Sequence, residues 1–248
     1  MNPQTLCQQL KSLRLSTAAT ELEQVLTKHK SAASLVWAIE LLERELDARK
    51  EKLLQGRIKS AQFPETTSLE SFDWKFNSDI DEGKIRELAR LEFVRDCRIA
   101  LMLGKPGTGK THLALAIGVL AVHQGYRVYC TSIKRLVQDI TVARMKNTLD
   151  LLFRRILSSQ LWILDDWGMV TMKREASEEV FDLLDRRKHS SAMILTSNRD
   201  VDEWSEMFPE PVLASAAIDR VFEQAEIVLF QGKSYRMKGR LTVKEAKI

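Results

Sequence analysis

The sequence is poor in cysteine, and its three cysteines, Cys7, Cys97 and Cys130, show no paired spacing. This pattern argues against a disulfide framework or a zinc site and favours a reducing compartment. Long apolar runs are also missing, because no stretch approaches the length of a membrane-spanning helix and residues 1–15 have no signal-peptide core. We therefore expect a soluble, cytoplasmic protein.

Charge of either sign is not in large excess. The 38 lysines and arginines and the 34 aspartates and glutamates leave a formal net charge of +4. A mildly basic chain is compatible with a nucleic-acid partner but does not require one. With 248 residues, 44% of them hydrophobic, the chain is long enough for one large domain, or for one ordinary domain and a small one.

The chain does contain a phosphate-binding loop directly after an apolar strand. Residues 99–103 are apolar, and residues 104–111 then match the pattern G-x-x-x-x-G-K-[ST]. Glycines permit the backbone angles that aim successive N–H groups at an anion, and the following helix adds its positive end. Lys110 would reach the outer phosphates and Thr111 would offer its hydroxyl to Mg²⁺. The predicted phosphate-binding residues are Gly104, Lys105, Pro106, Gly107, Thr108, Gly109, Lys110, Thr111 and His112.

Helical and strand patterns alternate after this loop. Further strands are predicted at residues 126–131, 161–164, 192–196 and 227–230, with helical segments between them. Strands separated by helices favour a mainly parallel sheet that is covered on both faces. The predicted fold class is α/β, with a mainly parallel five-stranded sheet.

The chain before this region divides into two parts. Residues 1–62 carry apolar residues at helical spacing and are predicted to form a small helical domain. Residues 63–78 break that pattern with Pro64, Phe72, Trp74 and Phe76, and are interpreted as a linker that docks onto the domain after it. Residues 79–248 then form the nucleotide-binding domain, which begins with a helix over 81–95 and ends in a basic tail.

Two acids follow the predicted strand 161–164. Asp165 would hold Mg²⁺, through water, and Asp166 would orient or deprotonate an attacking water molecule. This requires that their strand and the strand of the phosphate loop end at the same edge of the sheet, as they do when the two are neighbours. Two such acids alone are more typical of a turn or a helix cap, but a phosphate loop in the same chain favours the metal site.

Two further polar residues follow later elements. Asn198, after strand 192–196, would hydrogen-bond the γ-phosphate or the attacking water, although an ordinary turn is the alternative. Arg220, on a short helix, would point at the γ-phosphate of a neighbouring subunit. It could equally pair with Asp219 or Glu223 in its own subunit, and the sequence does not separate these options. The candidate catalytic residues are Lys110, Asp166, Asn198 and Arg220.

In this order, the motifs resemble those of the IstB-like ATPases, the transposition helper proteins of insertion sequences, which are related to DnaC-type helicase loaders. The resemblance spans about residues 69–240 and rests on the phosphate loop, the Asp165-Asp166-Trp-Gly turn, Met-Ile-Leu-Thr-Ser-Asn, Leu-Ala-Ser-Ala-Ala-Ile-Asp-Arg, and Gly-Lys-Ser-Tyr-Arg. It implies an AAA+ fold and ATP-dependent assembly into a homo-oligomer on double-stranded DNA, with the ATP site at the subunit interface. It also implies recruitment of a cognate transposase.

The resemblance also implies roles for individual residues. Lys110 and Thr111 match the Walker A residues, with ATP and Mg²⁺ as ligands, and Asp165 matches the Walker B acid. Three further positions are the sensor asparagine Asn198, the arginine finger Arg220 and the second phosphate sensor Arg236. Asp166 departs from the family's usual glutamate and is one methylene shorter, so slow hydrolysis is expected.

Contacts with DNA are predicted from cations alone and would carry no base preference. The candidates are Arg57, Lys59, Lys134, Arg135, Arg144, Lys146, Lys173 and Arg174, together with the tail cations Lys233, Arg236, Lys238, Arg240, Lys244 and Lys247. The cations near residue 57 are equally typical of a solvated helix end. Two alternative functions stay open: a DnaC-type replicative helicase loader, and a phosphotransferase acting on a small acceptor.

Overall fold

The computed structural model describes residues 3–28, 36–188 and 190–237. It divides into two compact units, Met1–Gly56 and Arg57–Ile248. The tail cations Lys238, Arg240, Lys244 and Lys247 lie outside the described residues. Within the described ranges, no helix is both long enough and apolar enough to cross a membrane.

The first unit is helical. Its helices are α1 (Pro3–Ser12), α2 (Ser16–Lys28) and the start of α3 (Val36–Ala61), which continues past the division at Gly56. Leu6 and Leu13 near α1, and Ala19 and Leu22 on α2, bury their side chains, as the helical spacing of the leucines predicts.

The second unit contains the end of α3 and the remaining α-helices and strands. In chain order these are α4 (Glu82–Leu88), α5 (Glu92–Arg95), β1 (Ile99–Gly104), α6 (Lys110–His123), β2 (Val128–Ser132), α7 (Ile133–Met145), α8 (Leu149–Leu157), β3 (Leu161–Trp167), α9 (Arg174–Arg186), β4 (Ala192–Ser197), α10 (Pro211–Phe222) and β5 (Ala225–Phe230). The single helix predicted over 81–95 is wrong, because buried Leu91 adopts a left-handed conformation, with φ of 62°, between α4 and α5.

The five strands form one sheet in the order β2-β3-β4-β1-β5, and all four pairings are parallel. This confirms the predicted fold class. Strand β4 lies between β1 and β3, so the phosphate-loop strand and the acid-bearing strand are not neighbours. Their carboxyl ends nevertheless meet at one edge, because every strand of a parallel sheet points the same way.

Strand β3 continues beyond the predicted boundary at residue 164. Leu164 pairs with Leu195 whereas Trp167 pairs with Ser197, so β3 carries one extra residue between these points. The extra residue makes a bulge, and Asp166 within it has a φ of 59°. Since Trp167 is fully buried just beyond it, the two acids sit on a bend that is anchored on both sides.

Candidate functional site

The phosphate loop runs from β1 into α6 through three glycines with positive φ. Gly104, Gly107 and Gly109 have φ values of 144°, 78° and 108°. Gly104 is required for a second reason, because a Cβ atom there would lie 2.1 Å from the carbonyl oxygen of Phe230 at the end of β5. The loop therefore takes a conformation that only glycine allows at these points and delivers Lys110 to the first turn of α6.

Lys110 is buried, with 4% of its surface exposed. Its Nζ donates to the carbonyl oxygens of Gly104 and Lys105, at 2.6 and 2.7 Å. Burial lowers the pKa of this ammonium to about 8, and the charges of Asp165 and Asp166 partly oppose that effect. The loop thus holds a partly desolvated cation near two carboxylates.

Three elements meet at the Asp165 carboxylate. Thr111 on α6 and Thr196 on β4 each donate a hydroxyl hydrogen bond to Asp165 Oδ1, at 2.8 and 2.5 Å. Sequence reasoning identified Thr111 and Asp165 but missed Thr196. A signal existed, because Thr196 is a hydroxyl residue that directly follows the apolar residues 192–195 of β4, and it is 1% exposed.

Asp166 is held beside this cluster by Asn198, which directly follows the last residue of β4. Asn198 Nδ2 donates to Asp166 Oδ1 at 3.0 Å, and the backbone N–H of Asp166 donates to Thr196 Oγ1 at 3.1 Å. Burial and then the neighbouring charge of Asp165 raise the pKa of Asp166, whereas the bond from Asn198 lowers it. A carboxylate with a raised pKa is a better proton acceptor than an ordinary aspartate.

These side chains surround a cavity of about 290 Å³. The sequence-predicted residues that line it are Gly107, Gly109, Lys110, Thr111, His112, Asp165, Asp166, Asn198 and Arg236. Glu65 and Tyr235 complete the lining, and sequence reasoning missed both. Gly104, Lys105 and Pro106 are not among the lining residues, although the first two contribute the carbonyls that hold Lys110.

A smaller cavity of about 100 Å³ adjoins the first and shares Gly109, His112 and Tyr235 with it. Its other lining residues are Ser71, Phe72, Asp73, Phe76, Asn77 and Thr108. His112 contacts two of these lining residues, because its ring lies 5.6 Å from that of Phe72 and its Nε2 lies 3.2 Å from the hydroxyl of Ser71. The segment interpreted as a docking linker therefore supplies the aromatic wall of this cavity.

Arg220 lies elsewhere and lines neither cavity. Its Nε donates to Asp185 Oδ1 of α9 at 2.7 Å, and its Nη1 lies 3.8 Å from Asp219 and 3.7 Å from Glu223. The intramolecular pairing that the sequence left open thus occurs, with Asp185 as an additional partner that the sequence did not indicate. The role towards a neighbouring subunit stays a prediction.

The cations predicted to contact DNA outside the C-terminal tail fall into two groups. Arg135, Arg144 and Arg174 pair with the carboxylates of Asp139, Glu179, Glu178 and Glu210. Lys59, Lys134, Lys146 and Lys173 are exposed, and Arg57 is half-buried. Lys134 lies in the first turn of α7 and Lys146 directly follows its last residue, so the two residues are about 18 Å apart along the helix axis. A nucleic acid that contacts both lysines would therefore have to span this distance.

Comparison with known proteins identifies the family. The family model of the IstB-like ATP binding protein matches residues 7–243. The chain is 39% identical over 197 residues to the ATP-binding protein of insertion sequence IS21 from Pseudomonas aeruginosa, a match that covers 79% of this chain and 74% of that relative.

Solved structures show the same fold. AMPPCP-bound DnaA from Aquifex aeolicus has a TM-score of 0.57 at 23% identity, and the match covers 71% of this chain and 53% of the DnaA chain. The DnaC helicase loader has a TM-score of 0.52 at 20% identity, over 60% of this chain and 86% of its own. Identities this low establish the fold alone, and it is the AAA+ P-loop fold that the sequence predicts. By the family match over most of its length, the chain belongs to the IstB-like ATP-binding proteins.

Proposed function

We propose that this protein is an ATP-dependent helper of transposition that oligomerises on double-stranded DNA and recruits or activates the transposase of its insertion sequence. The observation that carries the proposal is the hydrogen bond from Thr111 of the phosphate loop to Asp165. It brings together the two groups that a nucleotide-bound metal ion needs, in a chain whose relatives are named ATP-binding proteins of insertion sequences. Action on bacterial DNA would take place in the cytoplasm.

The two adjoining cavities suit the two ends of ATP. The larger contains the phosphate loop and Lys110, which match a triphosphate in charge. The smaller is walled by Phe72, Phe76 and Tyr235, which suit a planar base because aromatic faces stack on nucleobases. Their shared residues would place the sugar near His112 and Gly109.

The residues at the carboxyl edge of the sheet fit Mg²⁺. Thr111 and Asp165 offer hard oxygen ligands. Within residues 3–28, 36–188 and 190–237, no cluster of three or more histidines, cysteines, aspartates or glutamates is suited to hold a metal ion. Mg²⁺ commonly binds through one or two carboxylates, with water and phosphate oxygens completing its shell. Held by Thr111 and Asp165, it would neutralise charge on the phosphate oxygens.

Hydrolysis would depend on Asp166 and Asn198. Asp166 would accept a proton from, or orient, the attacking water, and Asn198 would hold that carboxylate through the bond it already makes. The shorter reach of aspartate favours slow turnover. We therefore propose that ATP serves chiefly to promote assembly, with hydrolysis as a slower release step.

Changing either acid to asparagine is expected to separate metal binding from water activation. Asp165→Asn should weaken ATP binding about tenfold in Mg²⁺ and remove most of the benefit that Mg²⁺ gives over EDTA. Asp166→Asn, one residue away, should retain that benefit while lowering turnover by at least about a hundredfold. Titration of a fluorescent ATP analogue with and without Mg²⁺, together with phosphate release, measures both effects. If the two variants lose the same property, the assignment of roles is wrong.

Binding to duplex DNA is expected to be tolerant of sequence and sensitive to salt. If the four exposed lysines Lys59, Lys134, Lys146 and Lys173 each neutralise one phosphate, affinity should fall about a hundredfold between 50 and 200 mM salt. Fluorescence anisotropy with two unrelated duplexes, in ATP and Mg²⁺, measures the slope of log affinity against log salt concentration.

Lys134→Ala should reduce this slope by about one unit. Lys188→Ala, which removes a lysine paired with Glu223, should not. An affinity that does not change with salt would contradict the electrostatic basis of binding.

The whole proposal is tested by assembly and by capture of a partner. We expect the protein to form oligomers on duplex DNA with ATP and Mg²⁺, but not with ADP, as measured by mass photometry. The assembled protein should retain the transposase encoded by its own element rather than a replicative helicase. Capture of the helicase alone would favour the loader function, and a failure to assemble under any nucleotide condition would contradict the proposal.

A further inference from the structure

A buried asparagine joins three segments that are distant in the sequence. Asn77, which lies between α3 and α4, is 5% exposed. Its Nδ2 donates to the carbonyl oxygen of Lys233 at 3.0 Å and to that of Thr108 at 3.4 Å, and its Oδ1 accepts from the N–H of Lys233 at 3.1 Å. One side-chain amide thus links the phosphate loop to the backbone that follows β5.

The segment 232–236 lies directly on the phosphate loop. The N–H of Tyr235 donates to the carbonyl oxygen of Gly107 at 2.8 Å. A Cβ atom on Gly107 would lie 2.1 Å from Ser234 Oγ, so a side chain at this position of the loop would displace the segment. The segment is also close to Asn77, because a Cβ atom on Gly232, where φ is +115°, would lie 2.6 Å from Asn77 Oδ1.

The same segment carries Arg236 into the larger cavity. Burial has the largest effect on the pKa of Lys110 and on that of Asp166, and the positive charge of Arg236 lowers both. The guanidinium therefore acts on the groups proposed to surround the outer phosphates. Arg236 lies three residues after Lys233. Asn77 hydrogen-bonds both the N–H and the carbonyl oxygen of Lys233.

We infer that Asn77 is a positioning residue, which holds segment 232–236 against the phosphate loop so that Arg236 can distinguish a nucleoside triphosphate from a diphosphate. The inference rests on the proposed function, since it assumes that the larger cavity takes the phosphates of ATP. An amide is suited to this role because it donates and accepts at once, as the paired bonds to Lys233 require. An alanine at position 77 would leave both backbone groups of Lys233 without these partners.

A matched control separates this role from simple docking of the linker. Thr67 also lies between α3 and α4, and its hydroxyl donates to the carbonyl oxygen of His112 at 3.0 Å. This bond ties the linker to α6 without involving segment 232–236. Thr67→Val therefore removes a hydrogen bond between the linker and the nucleotide-binding region. It leaves in place the bonds from Asn77 to Lys233 that are proposed to position Arg236.

The experiment compares affinities for ATP and ADP by competition with a fluorescent nucleotide. The wild-type protein should prefer ATP, and Arg236→Ala should reduce that preference about tenfold, because it removes a charged donor to phosphate. Asn77→Ala should reduce it by a similar factor, and the double variant should be no worse than Arg236→Ala alone. Thr67→Val should keep the wild-type ratio. Gly232→Ala, which displaces the same contact from the other side, should match Asn77→Ala and serves if that variant does not fold.

The outcomes distinguish this inference from the proposed function. A wild-type protein that binds neither nucleotide would contradict the function itself. A wild-type protein that binds ATP and ADP equally would overturn the inference alone. So would additive losses in the double variant, or a wild-type ratio in both Asn77→Ala and Gly232→Ala.

Discussion

Replacing Lys110 with alanine is expected to weaken ATP binding at least about a hundredfold and to abolish ATP-dependent assembly on DNA. Lys110 places a buried ammonium at the larger cavity, and a charge-assisted hydrogen bond from it to a phosphate would be about twice as strong as a neutral one. The alanine variant should nevertheless fold, because it removes a cation whose burial is costly, as its lowered pKa of about 8 shows. Titration with a fluorescent ATP analogue, mass photometry with DNA and thermal unfolding measure the three properties.

The matched control for this variant is Lys105→Ala. Lys105 belongs to the same loop, but its side chain is exposed and lies outside the lining of the larger cavity. Its carbonyl oxygen, which accepts from Lys110, remains in the alanine variant. We expect near-wild-type binding and assembly. Normal ATP binding by Lys110→Ala, or an equal loss in Lys105→Ala, would contradict the role of the Lys110 charge.

Replacing Arg220 with alanine is expected to leave ATP binding by an isolated protomer unchanged but to lower turnover by the assembly about a thousandfold. Arg220 lines neither cavity of its own protomer, so it has no part in binding there. An arginine supplied to a neighbour's γ-phosphate commonly accelerates phosphoryl transfer 10³-fold or more. Its present partners, Asp185, Asp219 and Glu223, would have to release it on assembly. Phosphate release with duplex DNA, together with nucleotide titration, separates the two effects.

Mixing two inactive variants tests whether Arg220 acts in trans. Arg220→Ala retains Asp166 and the phosphate site, and Asp166→Asn is expected to retain ATP binding and Arg220, so mixed assemblies contain interfaces that carry both Asp166 and Arg220. We expect the mixture to recover part of the turnover that neither variant shows alone. Arg186→Ala, which removes an exposed arginine paired with Asp182 on α9, should behave as wild type. Normal turnover by Arg220→Ala, or no recovery on mixing, would contradict the role in trans.

The parts of the site that could be predicted from the sequence are those encoded in short segments. The phosphate loop is a continuous pattern, and the alternation of apolar and helical stretches after it predicts the parallel sheet. Strand order is not local, because it depends on how the helices pack on the two faces of the sheet. The position of β4 between β1 and β3 therefore could not be read from the sequence, and neither could the bond from Thr196 to Asp165.

The contacts that the linker makes could not be predicted from the sequence either. Its aromatic residues indicated docking, but the wall formed by Phe72 and Phe76 depends on contacts with His112 and with Tyr235, which lies far along the chain. Asn77 belongs to no pattern, because its three bonds reach residues 31 and 156 positions away. The break at Leu91 lacks a glycine or proline signal, so the burial of that leucine, rather than local preference, accounts for its left-handed conformation.

The most direct measurement is a cryo-EM map of the protein with duplex DNA, Mg²⁺ and a non-hydrolysable ATP analogue. We expect the triphosphate along the loop that ends at Thr111, with the metal ion between this residue and Asp165, and Arg220 of the adjacent subunit at the γ-phosphate. At saturating nucleotide, a larger cavity still filled by protein side chains, or a nucleotide bound elsewhere, would contradict the proposed ATP site.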